Sequence, residues 1–209
     1  MRILICILLC FFAAHSSAAQ VVELGCRQLR VAQDERLTPD VLEKAWGSGA
    51  ERLESPAVLE WVDCGGRVTD RLVLAAPLAR IDPVPVKGAK PPTFLVSVDL
   101  SADAGSHNGP MTMPFQLNGD ALIQVSAQSG HGSREVIGLT QTGKSAWMRV
   151  SRGQAEDLLQ VKSDRRSGGF VVSYKRYSVR GRAWRVREIT RRGLWEADQD
   201  FPSSQRFPK

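Results

Sequence analysis

The last third of the chain carries its clearest alternation of apolar and polar positions. Phe170, Val172 and Tyr174 alternate with Val171, Ser173 and Lys175. After Arg180-Gly181-Arg182 the pattern resumes, with Trp184 and Val186 on one side and Arg185 and Arg187 on the other. A two-residue period with unlike faces belongs to a strand that is buried on one side. Arg191-Arg192-Gly193 ends the run before Leu194 and Trp195. Residues 168–195 therefore predict a hairpin or meander whose apolar face seals a core and whose other face is strongly basic.

Shorter units precede it. Val21, Val22 and Leu24 predict a short strand or extended lead-in to Cys26. Thr38-Pro39-Asp40 combines a capping hydroxyl, a proline suited to the first helical position and a carboxylate that complements the helix dipole. The predicted helix runs through Val41, Leu42 and Ala45 to Trp46 and stops at Gly47-Ser48-Gly49. Residues 57–64, AVLEWVDC, alternate like a strand, although Ser55-Pro56 also suits a helix start; the Gly65-Gly66 turn and the return through 67–74 favour a hairpin. Pro77, Pro83, Pro85, Pro91 and Pro92 remove donors and restrict φ, so this stretch reads as an extended connector rather than core. Beyond it, 93–100 is an apolar strand and 101–110 a loop of turn formers. Asn118-Gly119 marks a hairpin between FQL and ALIQV. Short strands are expected at 135–139, 146–150 and 158–161, and an extended strap at the DFPSSQRFPK end, with its two phenylalanines packed on the sheet.

Strands about 8–12 residues apart, with turn signals between them, indicate antiparallel sheets rather than βαβ units. The expected class is α+β, mostly antiparallel β, with a small N-terminal part holding one short helix and a C-terminal β-meander domain. The expected divisions are an export signal at 1–19, an N-terminal subdomain at 20–76, a proline-rich linker at 77–92, an antiparallel β domain at 93–197 and an extended tail at 198–209.

The export signal is read from Arg2, the apolar stretch from Ile3 to Ala14 and the small residues Ser17-Ala18-Ala19, with cleavage expected before Gln20. That apolar stretch is shorter than the ~20 residues a spanning helix requires. A lipid anchor at Cys10 is disfavoured by Leu8 and Leu9, where small residues are wanted. Periplasmic or extracellular placement follows, with no transmembrane segment once the signal is removed. Cys6 and Cys10 leave with the signal, and Cys26 and Cys64 remain to form one disulfide in an oxidising compartment. His107 and His131 lie far from them, so no metal or cofactor is expected.

The net charge of +6 falls to +5 without Arg2, and the surplus lies beyond residue 92. It concentrates in Lys162, Arg165, Arg166, Lys175, Arg176, Arg180, Arg182, Arg185, Arg187, Arg191 and Arg192, against Asp164 and Glu188.

Several motifs stand against this background. Gly138 to Ser145, GLTQTGKS, has the letters of a phosphate-binding loop, but that chemistry needs a helix beginning at the lysine. Ala146 to Val150 alternates like a strand instead, so a hairpin loop is expected. Asp99, Ser101, Asp103 and Gly105 hint at a calcium loop, yet Ala104 and Pro110 stand where glycine and a bidentate glutamate belong. No G-x-S-x-G elbow accompanies the Ser106-His107 and Ser129–Ser133 stretches.

The basic face is the sharpest functional signal. Lys175, Arg176, Arg180, Arg182, Arg185 and Arg187 are the expected binding residues for an anionic partner, namely an envelope glycan, a lipid headgroup or an acidic protein. Arginines interleaved with Tyr174, Tyr177 and Trp184 also resemble a nucleic-acid surface, but export argues against nucleic acid as the physiological target. The bland alternative is a solvated face that protects a sheet edge from aggregation. The reading is an exported non-catalytic protein. Its rivals are an exported hydrolase that uses His107 or His131 beside a carboxylate, and a structural or assembly subunit with an apolar patch at Trp195 or the tail.

Overall fold

A computed structural model describes residues 20–34, 36–38, 56–98, 109–180 and 182–209. They form a β-rich structure without any helix of seven or more residues among them. Beyond Thr38, the helix expected at 38–46 lies outside the described residues, as do the leader at 1–19, the Asp99–Gly105 loop and His107. No helix among the described residues is long and apolar enough to cross a membrane.

The strands of the first half are β1 (Val21–Leu24), β2 (Arg27–Ala32), β3 (Val58–Val62), β4 (Val68–Val73), β5 (Ala79–Ile81), β6 (Thr93–Val98) and β7 (Met111–Asn118). They are followed by β8 (Ala121–Gln124), β9 (Ser126–Gln128), β10 (Arg134–Val136) and β11 (Leu139–Thr140). The chain ends with the long strands β12 (Ser145–Arg152), β13 (Ala155–Arg166), β14 (Gly169–Arg180) and β15 (Ala183–Arg192), and a 3-10 turn at Ser204–Arg206.

The first sheet has the order β1-β2-β3-β4. Residues 57–64 settle as a strand because Asp63 closes a tight turn, its carboxylate accepting from the backbone N–H of Gly65 and of Arg67. Alternation then sorts the faces. Leu29, Val31, Leu59 and Trp61 point inward, whereas Glu60 points outward between Arg30 at 2.8 Å and Arg71 at 3.1 Å on the flanking strands. The Cys26–Cys64 disulfide joins the β1–β2 turn to the β3–β4 turn, both exposed.

The second sheet runs β11-β7-β6-β5, with β8 also paired to β7. It packs on the first, since Phe94, Val96 and Val98 of β6 share a core with Leu29, Leu59 and Trp61. The β7–β8 turn reaches the first sheet directly: its Gly119 carbonyl accepts from the Trp61 indole at 3.1 Å and from Arg27 at 3.0 Å. The register places Gly119 and Asp120 at the centre of that turn and leaves Asn118 in the strand, opposite Ala121. The hairpin expected from Asn118-Gly119 is present, with the turn centre one residue later, and Gly119 takes the positive φ of 63° that the first central position of such a turn requires.

The proline-rich stretch departs from the connector expected of it. Its prolines do keep it extended, but Ala79, Ile81 and Val86 are buried, and β5 pairs with β6. Proline blocks only its own donor, so the apolar residues between the prolines remain free to enter a core.

The third sheet has the order β10-β9-β15-β14-β13-β12. Its pairings are antiparallel except for β15 with β9, which is parallel at Trp184–Ala127 and Arg185–Gln128. The meander β12–β15 is longer than the short strands expected, and it is buried on both faces rather than one. Leu158, Tyr177, Val179, Trp184 and Val186 pack against the second sheet through Leu95 and Leu139. On the opposite face Ala146, Leu159, Val161, Val172 and Tyr174 lie under Trp195 and Phe207 from the tail. Phe207 meets Tyr174 edge-on at 5.4 Å and stacks on Phe201 at 5.7 Å. The Ser163 hydroxyl donates to the Trp195 carbonyl and accepts from its N–H.

Reducing the Cys26–Cys64 bond, which spans a separation of 38 residues, is expected to lower stability by about 4 kcal/mol through loop-closure entropy. Urea unfolding with and without reductant measures this. Phe207→Ala is expected to cost about 3 kcal/mol, the cost of emptying a fully covered aromatic site. The same unfolding curves would show no change if the tail were only loosely laid on the sheet.

Candidate anion-binding face

Strand alternation and the β14–β15 register divide the six expected cations. Arg176 and Arg180 on β14 project from the face that carries Val172 and Tyr174. Arg185 and Arg187 on β15 project from the same face, opposite Ser178 and Arg176. Lys175 projects from the other face, toward the second sheet, opposite Glu188.

Two of the six are already neutralised. Lys175 Nζ lies 3.0 Å and 3.1 Å from the two carboxylate oxygens of Glu135 and 3.6 Å from Glu188, with its side chain only 23% exposed. Arg176 donates to the Ser204 carbonyl of the tail at 3.1 Å and lies 3.9 Å from the buried carboxylate of Asp157, which Arg152 approaches at 3.5 Å. Both therefore serve internal contacts, contrary to the expectation that they belong to an exposed basic face. The reason is the second layer of cover: β10 brings Glu135 to one face, and the tail closes the other.

Arg180, Arg185 and Arg187 are exposed and converge. With Gln128, Ser129, Gly130, Ser178 and Val186 they line an open depression of about 300 Å³. Arg185 donates to the Gln128 side-chain oxygen at 2.5 Å. Among the described residues no carboxylate lies within 4 Å of any of these three guanidinium groups. Glu188, the only acidic residue of β15, is turned away by alternation. Arg182 belongs to a separate depression with Lys90, Pro91 and Asn118, so the structure does not bring it into the trio.

Gln128, Ser129 and Gly130 escape a reading of the sequence. They reach the arginines only because β9 adds in parallel to β15, a pairing of residues more than fifty positions apart. The glycines around His131 signal a turn, but no local pattern announces its neighbour.

The other candidates fall into place. The GLTQTGKS stretch is the turn between β11 and β12: Ser145 begins a strand, and the Lys144 amide donates to Thr142 Oγ1 while its ammonium lies 4.2 Å from the Phe170 ring centre. A phosphate cradle needs a helix there, and a strand takes its place. His131 stands exposed in the β9–β10 turn, and among the described residues no carboxylate pairs with its ring. Tyr174, Tyr177 and Trp184, considered as stacking platforms, are all buried. Trp195 and Phe207 are buried too, so neither forms the apolar patch an assembly subunit would show.

Beneath the arginine face, the Tyr177 hydroxyl donates to Glu135 at 3.0 Å. Burial first, then the adjacent carboxylates and that hydrogen bond, raise its pKa well above the ordinary 10.0. The folded state thus retains a proton that the unfolded chain releases. Stability from this group is complete below pH 10.0 and is lost as pH rises beyond it. The expected slope is about 1.4 kcal/mol per pH unit above that point. Urea unfolding across alkaline pH measures it, and Tyr177→Phe is expected to remove that part of the slope.

No protein-family model, curated protein or solved structure matches this chain.

Proposed function

We propose that this protein is an exported, non-catalytic binding protein that captures anionic groups at Arg180, Arg185 and Arg187. The observation that carries the reading is the convergence of three exposed guanidinium groups, without a carboxylate partner among the described residues, on one depression that Gln128, Ser129 and Ser178 also line. Guanidinium forks pair with sulfate, phosphate or carboxylate oxygens through two parallel hydrogen bonds, and Ser129, Ser178 and Gln128 add neutral partners around them. Like charges held together without internal compensation weaken the fold, so an external anion is the natural counterpart. Export is supported by the leader pattern of residues 1–19 and by the Cys26–Cys64 disulfide, which persists in oxidising compartments. The counterpart is accordingly an envelope or extracellular anion rather than a cytosolic nucleotide.

The combined R180E, R185E and R187E variant is expected to elute from immobilised heparin at the salt of the unbound fraction while keeping the parent melting temperature. Arg176→Ala is expected to do the reverse. It leaves the Asp157 carboxylate and the Ser204 carbonyl short of a partner, which costs about 1–3 kcal/mol, with heparin retention kept. Unchanged retention of the triple variant would dismiss the reading.

A further inference from the structure

The basic surface does not end at the depression. Along β15 the residues sharing the outward face are Arg185, Arg187, Ile189 and Arg191, the last opposite Val172. Arg165 of β13, paired with Phe170, projects from the same face at that far end. Arg165 and Arg191 are exposed, and neither has an ion-pair partner among the described residues. A strand advances ~3.3 Å per residue, so Arg185 and Arg191 stand roughly 20 Å apart. A single phosphate or sulfate cannot touch both; a chain of anions can.

We infer that the natural ligand is a linear anionic polysaccharide laid along β15, anchored in the depression at Arg180, Arg185 and Arg187 and continuing past Ile189 to Arg191 and Arg165. This rests on the proposed function and names its substrate class. Two features select a polysaccharide over a nucleic acid. The rings that would stack on bases, Tyr174, Tyr177 and Trp184, are buried, so base recognition by stacking has no surface here. Ser178 and the Gln128 amide nitrogen, which line the depression, instead suit a ligand rich in hydroxyls between its charges; the Ser129 hydroxyl and the Gln128 oxygen already bond Ser133 and Arg185. β9 pairs with β15 only at Trp184 and Arg185, so the edge of the strand beyond them has no second neighbour among the described residues, and Ile189 between the arginines is partly buried against the tail cluster.

Calorimetric titration of the purified protein with inorganic sulfate and with heparin-derived oligosaccharides of increasing length tests this. Each exposed guanidinium–anion contact is worth about 1.5- to 5-fold in affinity, so extension from a disaccharide to an octasaccharide is expected to tighten binding about tenfold or more. Arg191→Glu is expected to weaken the octasaccharide about 3- to 10-fold and leave sulfate unaffected, whereas Arg187→Glu weakens both. Length-independent affinity, or an Arg191→Glu variant that binds the octasaccharide like the parent, overturns the extended site; the depression survives that result if Arg187→Glu still weakens sulfate. Loss of no affinity in Arg187→Glu overturns both readings. Equal or tighter binding of a single-stranded DNA oligonucleotide of matched charge overturns the choice of polysaccharide.

Discussion

Lys175 and Arg176 of the β14–β15 hairpin are neutralised because a second layer covers each of them at its place on the sheet, whereas Arg180, Arg185 and Arg187 are left exposed. A strand offers two faces, and in the third sheet both are closed along most of their length, one by the second sheet and one by the tail. Lys175 falls under the first cover and meets Glu135 and Glu188. Arg176 falls under the second and meets the tail and Asp157. On β15 only Ile189 packs against the cluster under the tail, and the outward Arg185, Arg187 and Arg191 are exposed. The strap of Trp195, Phe201 and Phe207 is therefore both core and boundary. It completes the hydrophobic burial of the meander and sets the limit of the basic surface.

The rest of the chain supplies the platform for that arrangement. β6 is buried on both sides, with Phe94, Val96 and Val98 toward the first sheet and Leu95 toward the third. A strand covered on both sides has no solvent face to give to polar residues, which is why Phe94, Leu95 and Val96 are apolar in succession. Side-chain packing on both sides of this middle layer ties the N-terminal hairpins to the meander, and the docking of the β7–β8 turn on Trp61 and Arg27 adds hydrogen bonds between the first two sheets.

The contrast between the two kinds of arginine follows from solvation. A guanidinium that is four-fifths covered has lost most of its water and depends on oxygen acceptors within the fold; Arg176 has the Ser204 carbonyl and the Asp157 carboxylate, while its Nε has no hydrogen-bond partner among the described residues. Arg180, Arg185 and Arg187 are exposed, so water screens their mutual repulsion, and in the proposed reading an anion would replace some of that water. Arginine suits this better than lysine, because its planar fork loses less freedom for each hydrogen bond it forms.

Much of the architecture is legible in residue order. The alternation of Trp184 and Val186 with Arg185 and Arg187 assigns their faces correctly, Gly65-Gly66 and Gly119 mark turns, and Cys26 with Cys64 leaves one pairing. These are local properties, set by backbone sterics and a two-residue period. Residue order does not reveal which faces acquire a second cover, because that depends on contacts between distant segments. The parallel addition of β9 to β15, the arrival of Glu135 at Lys175 and the core role of Ile81 and Val86 between prolines are all long-range packing outcomes, whereas the packing of Phe201 and Phe207 on the sheet is expected from the tail's sequence. Local pattern determined where the cations stand on their strands, and tertiary burial decided which of them still face water, since only the full set of neighbours sets how much solvation each charge retains.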